Sequence, residues 1–115
     1  MSSLRTPEGK RAYQEYLANS PVSDICALCD KPALRTFKLW KITENSFPYD
    51  LIAKEHHMLV PIRHTKEADL TVNEIMELSG IKNQIIEEDY DWIIEATLKN
   101  KSIPNHFHLH LLVGK

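Results

Sequence analysis

The chain has 115 residues, enough for one domain of common size, and 43% of them are hydrophobic, enough for one compact core. Its formal net charge is −2, with lysines and arginines spread along the chain. This argues against a nucleic-acid-binding protein, which usually has a basic stripe. No apolar run approaches the roughly 20 residues that cross a bilayer, and the N-terminus lacks the apolar core of a signal peptide. We therefore expect a cytoplasmic protein with no membrane association.

In chain order, the first half of the sequence predicts a helix, an irregular segment, a strand and a loop. A Thr-Pro-Glu sequence beginning at Thr6 combines a capping hydroxyl, a proline suited to the first helical position and an acid near the positive helix end. It predicts a helix over about 7–18. Residues 22–34 are expected to be irregular, and 36–42 to form a strand with imperfect alternation. A loop containing a proline follows over 45–50.

The second half of the sequence predicts one long helix between strands. Thr71 and Glu74 have the spacing of a capping box at the start of a helix over about 72–88, along which apolar residues recur with helical period. Those apolar residues are Val72, Ile75, Met76, Leu78, Ile81, Ile85 and Ile86. Short strands are expected over 57–62, 92–98 and 106–113. The order of elements, a helix, two strands, a helix and two strands, predicts an antiparallel α+β domain.

Three of the six histidines occupy alternate positions, His106, His108 and His110. On a strand, alternate side chains share a face, so these rings would form a row with neighbours roughly 6.5–7 Å apart, while the hydrophobic residues between them face the core. A neutral imidazole is a nucleophile and a metal ligand, and a protonated one stabilises phosphate oxygens. The row therefore indicates a site for one of these kinds of chemistry.

Two other interpretations of the histidine row stay open. It could be a solvated face that arose by chance, although half of the chain's six histidines at this spacing argue against chance. It could also be a three-histidine metal site, although three same-face positions on a strand span a line and do not easily converge on one tetrahedral ion.

The segment 106–113 resembles the signature of the histidine-triad superfamily, in which three histidines alternate with hydrophobic residues. Three further motifs are similar and occur in the family's order. They are the N-x-x-P-Y stretch at 45–49, the H-x-x-x-x-P-x-x-H strand at 56–64 and the D-L-T-x-x-E helix entry at 69–74. The resemblance covers about 25–113 and is nearest in pattern to the zinc-containing diadenosine-polyphosphate hydrolase or phosphorylase branch.

The resemblance implies a fold and an activity. The fold is an antiparallel sheet of about five strands with one long helix within 25–115, while 1–24 would add an N-terminal helix and lead-in to the same compact domain. The implied enzyme uses His108 to attack the α-phosphorus of a nucleoside phosphoramidate or dinucleoside polyphosphate, and water or another acceptor resolves a nucleotidyl-histidine intermediate. The implied partner is a nucleotide-like small molecule, with no organic cofactor. Many relatives pair through the long helix and the adjacent strand into a two-fold dimer, which leaves a homodimer open for this chain.

The resemblance also implies roles for individual residues, position by position. His110 would orient His108 or bind phosphate. Asn45 would contact the ribose hydroxyls, and His56 would lie near the phosphates. Ser102 stands where a phosphate-contacting glutamine is expected, and its hydroxyl would donate one hydrogen bond there.

Cys26 and Cys29 form a C-x-x-C pair. By itself such a pair is a redox pair, two inert thiols or two metal ligands, and a structural disulfide is not expected in a reducing compartment. The resemblance favours zinc, because branches of the superfamily hold Zn²⁺ with such a pair, the last histidine of the H-x-x-x-x-P-x-x-H strand and the first histidine of the triad. The matching ligands would be Cys26, Cys29, His64 and His106. A Cys₂His₂ set leaves no open position for water, so this zinc would brace the fold.

The chain departs from the family pattern at several positions, which leaves other functions open. The glycine before the triad is missing, and Glu55 stands where a glycine usually precedes His56. No glycine-rich loop grips phosphate, so imidazoles and other side chains would have to hold it. The alternative function is a non-catalytic, zinc-braced module that binds a nucleotide or a protein. A third function, processing of nucleic-acid ends, is opposed by the mild acidity of the chain.

Overall fold

A computed structural model describes residues 4–19, 26–97, 99, 103 and 105–115 of the chain. Within them, five strands form one antiparallel sheet. The strands are β1 (Ala33–Thr36), β2 (Trp40–Glu44), β3 (Ala53–Pro61), β4 (Trp92–Ile94) and β5 (Leu109–Gly114). Their order across the sheet is β1-β2-β3-β5-β4, and every pairing is antiparallel. Together with the helices, this sheet confirms the predicted α+β fold class.

Helical segments lie before β1 and between β3 and β4. They are α1 (Pro7–Asn19), α2 (Ala27–Asp30), a 3-10 turn (Glu67–Asp69), α3 (Val72–Ile81), a π-helical turn (Lys82–Ile86) and α4 (Glu87–Asp89). The long helix predicted over 72–88 is present, because α3, the π-helical turn and α4 follow one another without a break up to Asp89. In the part of the chain that the structure describes, no helix is long and apolar enough to span a membrane.

Both predicted helix starts are capped by the residues that the sequence indicates. At α1, the Gly9 N–H donates to the Thr6 hydroxyl at 3.1 Å. At α3, the Glu74 N–H donates to the Thr71 hydroxyl at 3.1 Å, and the Thr71 N–H donates to the Glu74 carboxylate at 2.8 Å. The first turn of a helix leaves such N–H groups without partners in the helix, so these bonds determine where α1 and α3 begin.

The main hydrophobic core lies between one face of the sheet and the long helix. Its buried members are Trp40, Ile42, Leu59, Ile81, Ile86, Phe107, Leu109 and Leu111. The Trp40 indole N–H donates to the Glu74 carbonyl at 2.9 Å and ties β2 to the helix. Phe107, Leu109 and Leu111 occupy the alternate positions that the sequence assigns to the core. His110, between the last two, therefore points to the opposite face of the sheet.

The prediction of a single strand over 36–42 is wrong, because the chain forms a hairpin there. β1 ends before this turn, and β2 begins after it. The Phe37 N–H donates to the Trp40 carbonyl at 2.8 Å and closes the turn. The Leu39 N–H donates to the Glu77 carboxylate of the long helix at 2.7 Å. The turn explains the imperfect alternation, and it gives three strands before the long helix where two were predicted.

Two further predicted boundaries are wrong. Residues 22–34, predicted to be irregular, contain α2 and the start of β1, although 20–25 lie outside the described residues. The strand predicted over 92–98 ends at Ile94, and Leu98 lies outside the described residues.

The last strand begins at Leu109, later than predicted, because the residues before it bond elsewhere. The Phe107 N–H donates to the Thr65 carbonyl at 2.7 Å instead of joining the sheet. β3 begins at Ala53, earlier than predicted, and pairs with β5 as far as Gly114. The first two histidines of the triad therefore lie in an approach to β5 that the sheet does not constrain, and they can point to different neighbours.

Candidate active site and metal centre

Three buried histidines lie at the start of β5. His106, His108 and His110 have exposed fractions of 0%, 4% and 6%. His110 is on β5 opposite Met58 of β3, whereas the other two precede the strand. The three rings do not converge on one point. His106 belongs to a cysteine-histidine cluster, and His108 and His110 line a cavity.

The cysteine-histidine cluster consists of Cys26, Cys29, His64 and His106, whose ligand atoms all lie within 4.8 Å of one another. Cys29 Sγ is 3.2 Å from His64 Nδ1 and 3.4 Å from His106 Nδ1, and Cys26 Sγ is 3.4 Å from His106 Nδ1. A sulfur and a nitrogen on one tetrahedral zinc ion are about 3.5 Å apart. The four atoms therefore fit around a single tetrahedral metal ion, and the cluster could bind one.

Contacts behind the ligands hold the cluster in place. His106 Nε2–H donates to the Pro61 carbonyl at 2.9 Å, which leaves Nδ1 to face the thiols. The Lys41 ammonium donates to the carbonyls of Cys29 at 3.2 Å and Lys31 at 2.9 Å, closing the segment around α2. Partial burial and the neighbouring cysteine raise the pKa of the Cys29 thiol. A metal ion would have to displace that proton on binding.

The His108 ring has a defined tautomer. Its Nδ1 lies 3.0 Å from the His106 carbonyl oxygen. Because a carbonyl oxygen only accepts hydrogen bonds, the proton is on Nδ1, and in the neutral ring the lone pair is on Nε2. His108 lines the cavity, and a neutral imidazole nitrogen whose lone pair is held in this way can act as a nucleophile.

His110 is oriented by His56 from the neighbouring strand. The Tyr49 N–H donates to His56 Nδ1 at 2.9 Å, so the neutral His56 ring carries its proton on Nε2. That Nε2–H donates to His110 Nδ1 at 2.7 Å. The proton of the neutral His110 ring is therefore on Nε2, which lies 3.4 Å from the Tyr49 hydroxyl. His110 lines the cavity, and its Nε2–H is a hydrogen-bond donor.

Both rings of this pair are neutral near pH 7. Burial lowers the pKa of His56 to about 4 and the pKa of His110 to about 3, and nearby histidines and Arg5 add to both shifts. Neutral rings agree with the order of donors and acceptors. A proton added to His110 Nδ1 would face the His56 Nε2–H, and one added to His56 Nδ1 would face the Tyr49 N–H. Burial also lowers the pKa of His106.

The cavity beside His108 and His110 has a volume of about 300 Å³. This is near the lower limit for small-molecule sites, roughly 300–1,000 Å³. Its walls combine apolar residues, including Leu28 and Met58, with basic and other polar residues. None of the described residues that line it is acidic. A second depression of about 400 Å³, beside the start of α3, contains no histidine or cysteine among its described lining residues.

The residues that the sequence singles out fall into two neighbouring groups. One group is the cysteine-histidine cluster. The other lies at or behind the cavity and consists of Asn45, His56, His108 and His110. Asn45 lines the cavity, and its Oδ1 accepts from the Phe47 N–H at 2.8 Å. His56 lies behind His110 instead of among the lining residues. Ser102 lies outside the described residues, so its contact with phosphate stays a prediction.

The N-terminal segment also contributes to the site, which the sequence does not indicate. Arg5 lines the cavity, and its Nε–H donates to the Phe47 carbonyl at 2.9 Å. Its guanidinium lies 4.4 Å from the ring centre of Tyr13 and 5.0 Å from that of Tyr49. The recognisable motifs begin near residue 25, so none of them extends to Arg5 or α1. Tyr13 and Tyr16, which share one side of α1, are the signal in the sequence that could have placed this helix beside the site, because both contact the Phe47 ring.

The described residues thus form one antiparallel α+β sheet structure that holds an oriented histidine (His108), a hydrogen-bonded pair of neutral histidines (His56 and His110, the histidine relay) and a Cys₂His₂ cluster. No protein-family model matches the chain, and no curated protein matches it. Among solved structures, the chain is similar to a histidine triad protein from Clostridium difficile. The TM-score is 0.56 with 21% sequence identity, covering 83% of this chain and 95% of that chain. This likeness establishes a shared fold and confirms the predicted histidine-triad-like architecture.

Proposed function

We propose that the chain is a nucleotidyl hydrolase or transferase of the histidine-triad type. The hydrogen bond from His108 Nδ1 to the His106 carbonyl carries the proposal, because it fixes the lone pair on Nε2 of a ring that lines a cavity. The substrate is a nucleoside phosphoramidate or a dinucleoside polyphosphate, whose α-phosphorus is attacked. The sequence resemblance supports this substrate class, and the likeness to a histidine triad protein supports the fold on which the proposal depends.

In the first step, the Nε2 lone pair of His108 forms a bond to the α-phosphorus, and the bond from phosphorus to the leaving group breaks. The leaving group departs with the electron pair of that bond, and the amine of a phosphoramidate takes up a proton from solvent as it leaves. The His108 ring becomes positive as the N–P bond forms. Because Nδ1–H already donates to the His106 carbonyl, that oxygen stabilises the developing charge without moving.

In the second step, water attacks the phosphorus, the P–N bond breaks, and its electron pair returns to Nε2. The products are a nucleoside monophosphate and the neutral ring, and the attacking water releases a proton to solvent. Another hydroxyl or phosphate acceptor in the place of water would give nucleotidyl transfer. The intermediate is a nucleotidyl group covalently bound to His108.

His110 has the position and tautomer of a phosphate-binding residue. Its Nε2–H can donate to a non-bridging phosphate oxygen, on which negative charge accumulates in the transition state. His56 acts through His110, because its 2.7 Å hydrogen bond keeps the His110 proton on Nε2. Asn45, which also lines the cavity, is proposed to contact the ribose hydroxyls.

We propose that the Cys₂His₂ cluster holds zinc, since two thiolates and two imidazoles form the donor set typical of structural zinc sites. When bound, the ion would brace the fold, because the four protein ligands fill its tetrahedral coordination. It would tie the α2 segment to the approach to β5, where the His106 carbonyl orients His108.

The experiment that tests the enzyme proposal is intact-protein mass spectrometry after a short pulse with nucleoside phosphoramidates and dinucleoside polyphosphates. We expect wild type to gain the mass of one nucleotidyl group and His108→Asn to gain none. The asparagine amide can still donate to the His106 carbonyl, so this variant removes the nucleophile with little change in the local bond. His57→Gln is the matched control, because His57 bonds to the Tyr90 hydroxyl instead of the relay and should leave the adduct unchanged.

An adduct that persists in His108→Asn would overturn the assignment of the nucleophile. No adduct and no turnover in folded, metal-loaded wild type would overturn the enzyme proposal. That result would favour the non-catalytic binding module in its place.

A further inference from the structure

The cavity beside His108 has a charge opposite to that of the whole chain. The chain has 16 acidic and 14 basic residues, for a formal net charge of −2. Yet two cations, Arg5 and Lys31, line this cavity, and no aspartate or glutamate is among its described lining residues. A small cavity with fixed positive charges and no carboxylates attracts anions.

Arg5 is held in place by its neighbours. Its Nε–H donates to the Phe47 carbonyl, and its guanidinium lies against the faces of Tyr13 and Tyr49. The next residue, Thr6, donates to the Asp50 carboxylate through its N–H at 2.7 Å and its hydroxyl at 2.8 Å. This anchored backbone and stacked side chain reduce the entropy that would be lost when Arg5 binds an anion.

Lys31, the first residue after α2, also lines this cavity. Its ammonium donates to the Ser46 hydroxyl at 2.7 Å. Partial burial lowers its pKa, and Glu44, which is not a lining residue, partly offsets this effect. The ammonium has therefore lost part of its hydration, so that an anion in the cavity would be a favourable partner for it.

We propose that Arg5 and Lys31 form a second anion subsite in this cavity, which selects ligands that carry a further phosphate group beside the one at His108. The subsite takes the place of the glycine-rich phosphate loop that the sequence lacks. The assignment of the extra group to the phosphate chain of a nucleotide rests on the proposed function. The attraction of the cavity for a diphosphate does not rest on the proposed function, because this attraction depends on the two cations alone.

The test is calorimetric titration of the folded protein with inorganic pyrophosphate and with inorganic orthophosphate at low ionic strength. We expect wild type to bind pyrophosphate more tightly than orthophosphate. Arg5→Gln and Lys31→Gln should each weaken pyrophosphate binding by about tenfold, because each removes one charge-assisted contact. Orthophosphate binding should change less, since a single phosphate does not need both subsites.

Two kinds of variant separate the subsite from a general effect of charge or folding. Arg5→Lys and Lys31→Arg keep the charge and should retain most of the preference for pyrophosphate. Arg11→Gln removes a cation from the exposed surface of α1 and should leave both affinities unchanged. Equal affinity of wild type for the two anions, or an equal loss in Arg11→Gln, would overturn the subsite.

This result can be distinguished from failure of the proposed function. If pyrophosphate binding depends on both cations but no nucleotidyl adduct forms, the subsite stands and the enzyme proposal fails. If the adduct forms but the preference for pyrophosphate is the same in wild type, Arg5→Gln and Lys31→Gln, the subsite fails and the enzyme proposal stands.

Discussion

His106 and His108, which are separated by one residue, have different neighbours because the backbone between them is not yet in the sheet. The His106 side chain faces two cysteines, and its carbonyl accepts from His108 Nδ1. In the proposed function, His106 therefore belongs to the metal site through its ring and supports the nucleophile through its backbone. A substitution at His106 is expected to disturb both, whereas one at His108 removes only the nucleophile.

The neutral relay of His56 and His110 makes stability depend on pH. An unfolded histidine has a pKa near 6.5, and burial lowers these two to about 4 and about 3. Between these values the unfolded chain binds more protons, so the stabilisation is present above pH 6.5 and is lost as pH falls toward 4. From pH 7 to 5, each neutral buried histidine should cost about 2 kcal/mol of unfolding free energy.

The matched variants for this pH effect are His110→Gln and His57→Gln, compared by urea denaturation at pH 7 and pH 5. His110→Gln removes one titrating group, so the free energy of unfolding should fall less between the two pH values than in wild type. His57→Gln leaves the hydrogen bond between His56 and His110 in place, so its loss of stability between the two pH values should exceed that of His110→Gln. A loss in His110→Gln as large as in wild type would show that the relay does not control acid stability.

At the scale of elements, the local sequence pattern predicted the start of the long helix better than it predicted where the strands begin and end. The Thr71 and Glu74 pair and the apolar period mark α3 within the sequence itself. The hairpin between β1 and β2 depends on the bond from the Leu39 N–H to Glu77, a residue 38 positions away. The late start of β5 depends on the bond from the Phe107 N–H to Thr65. Such distant contacts cannot be read from a local pattern.

The capping box at the start of α3 should contribute measurably to stability. Thr71→Ala removes the hydroxyl that accepts from the Glu74 N–H, and caps of this kind contribute about 1 kcal/mol. Urea denaturation should therefore show a loss of about 1 kcal/mol with an unchanged m-value. Asn73→Ala, at an exposed position in the same turn, is the control and should change stability little. Equal effects of the two substitutions would contradict the role of the cap.

The Cys₂His₂ cluster links α2, the end of β3 and the approach to β5, so metal removal should loosen all three. We expect elemental analysis to find zinc in purified protein, and chelation to lower the melting temperature because metal binding is coupled to folding. Cys29→Ser should lack zinc and should melt at a temperature that chelator no longer changes. Wild type that contains no zinc and whose melting temperature survives exhaustive chelation would refute the assignment.

At the scale of the whole molecule, the sequence predicted the members of the site better than their surroundings. Motif positions alone predicted that Cys26, Cys29, His64 and His106 lie together, because the family's spacing already encodes the approach of distant segments. The cavity could not be predicted in the same way. Its positive charge comes from Arg5 and Lys31, and Arg5 lines the cavity because the N-terminal segment contacts the loop containing Phe47.

The exposed side of the long helix leads to a prediction about assembly. Of the apolar residues predicted along this helix, Ile81 and Ile86 are buried, but Val72, Ile75 and Met76 are 72%, 51% and 67% exposed. A helical period shows that such residues share a side, but it does not show what covers them. Because such a cluster is costly to leave in water, we expect it to pair two copies of the chain.

The mass of the particle in solution, measured by sedimentation velocity, tests this pairing. Wild type should sediment as a dimer at micromolar concentration. Met76→Glu should shift it to a monomer, because a two-fold interface places each new carboxylate in an apolar contact, where an unpaired charge is costly to bury. Leu34→Glu introduces the same charge at an exposed apolar position on the edge strand β1 and should leave the dimer intact. A wild-type monomer, or dissociation by both substitutions, would show that α3 is not the contact surface.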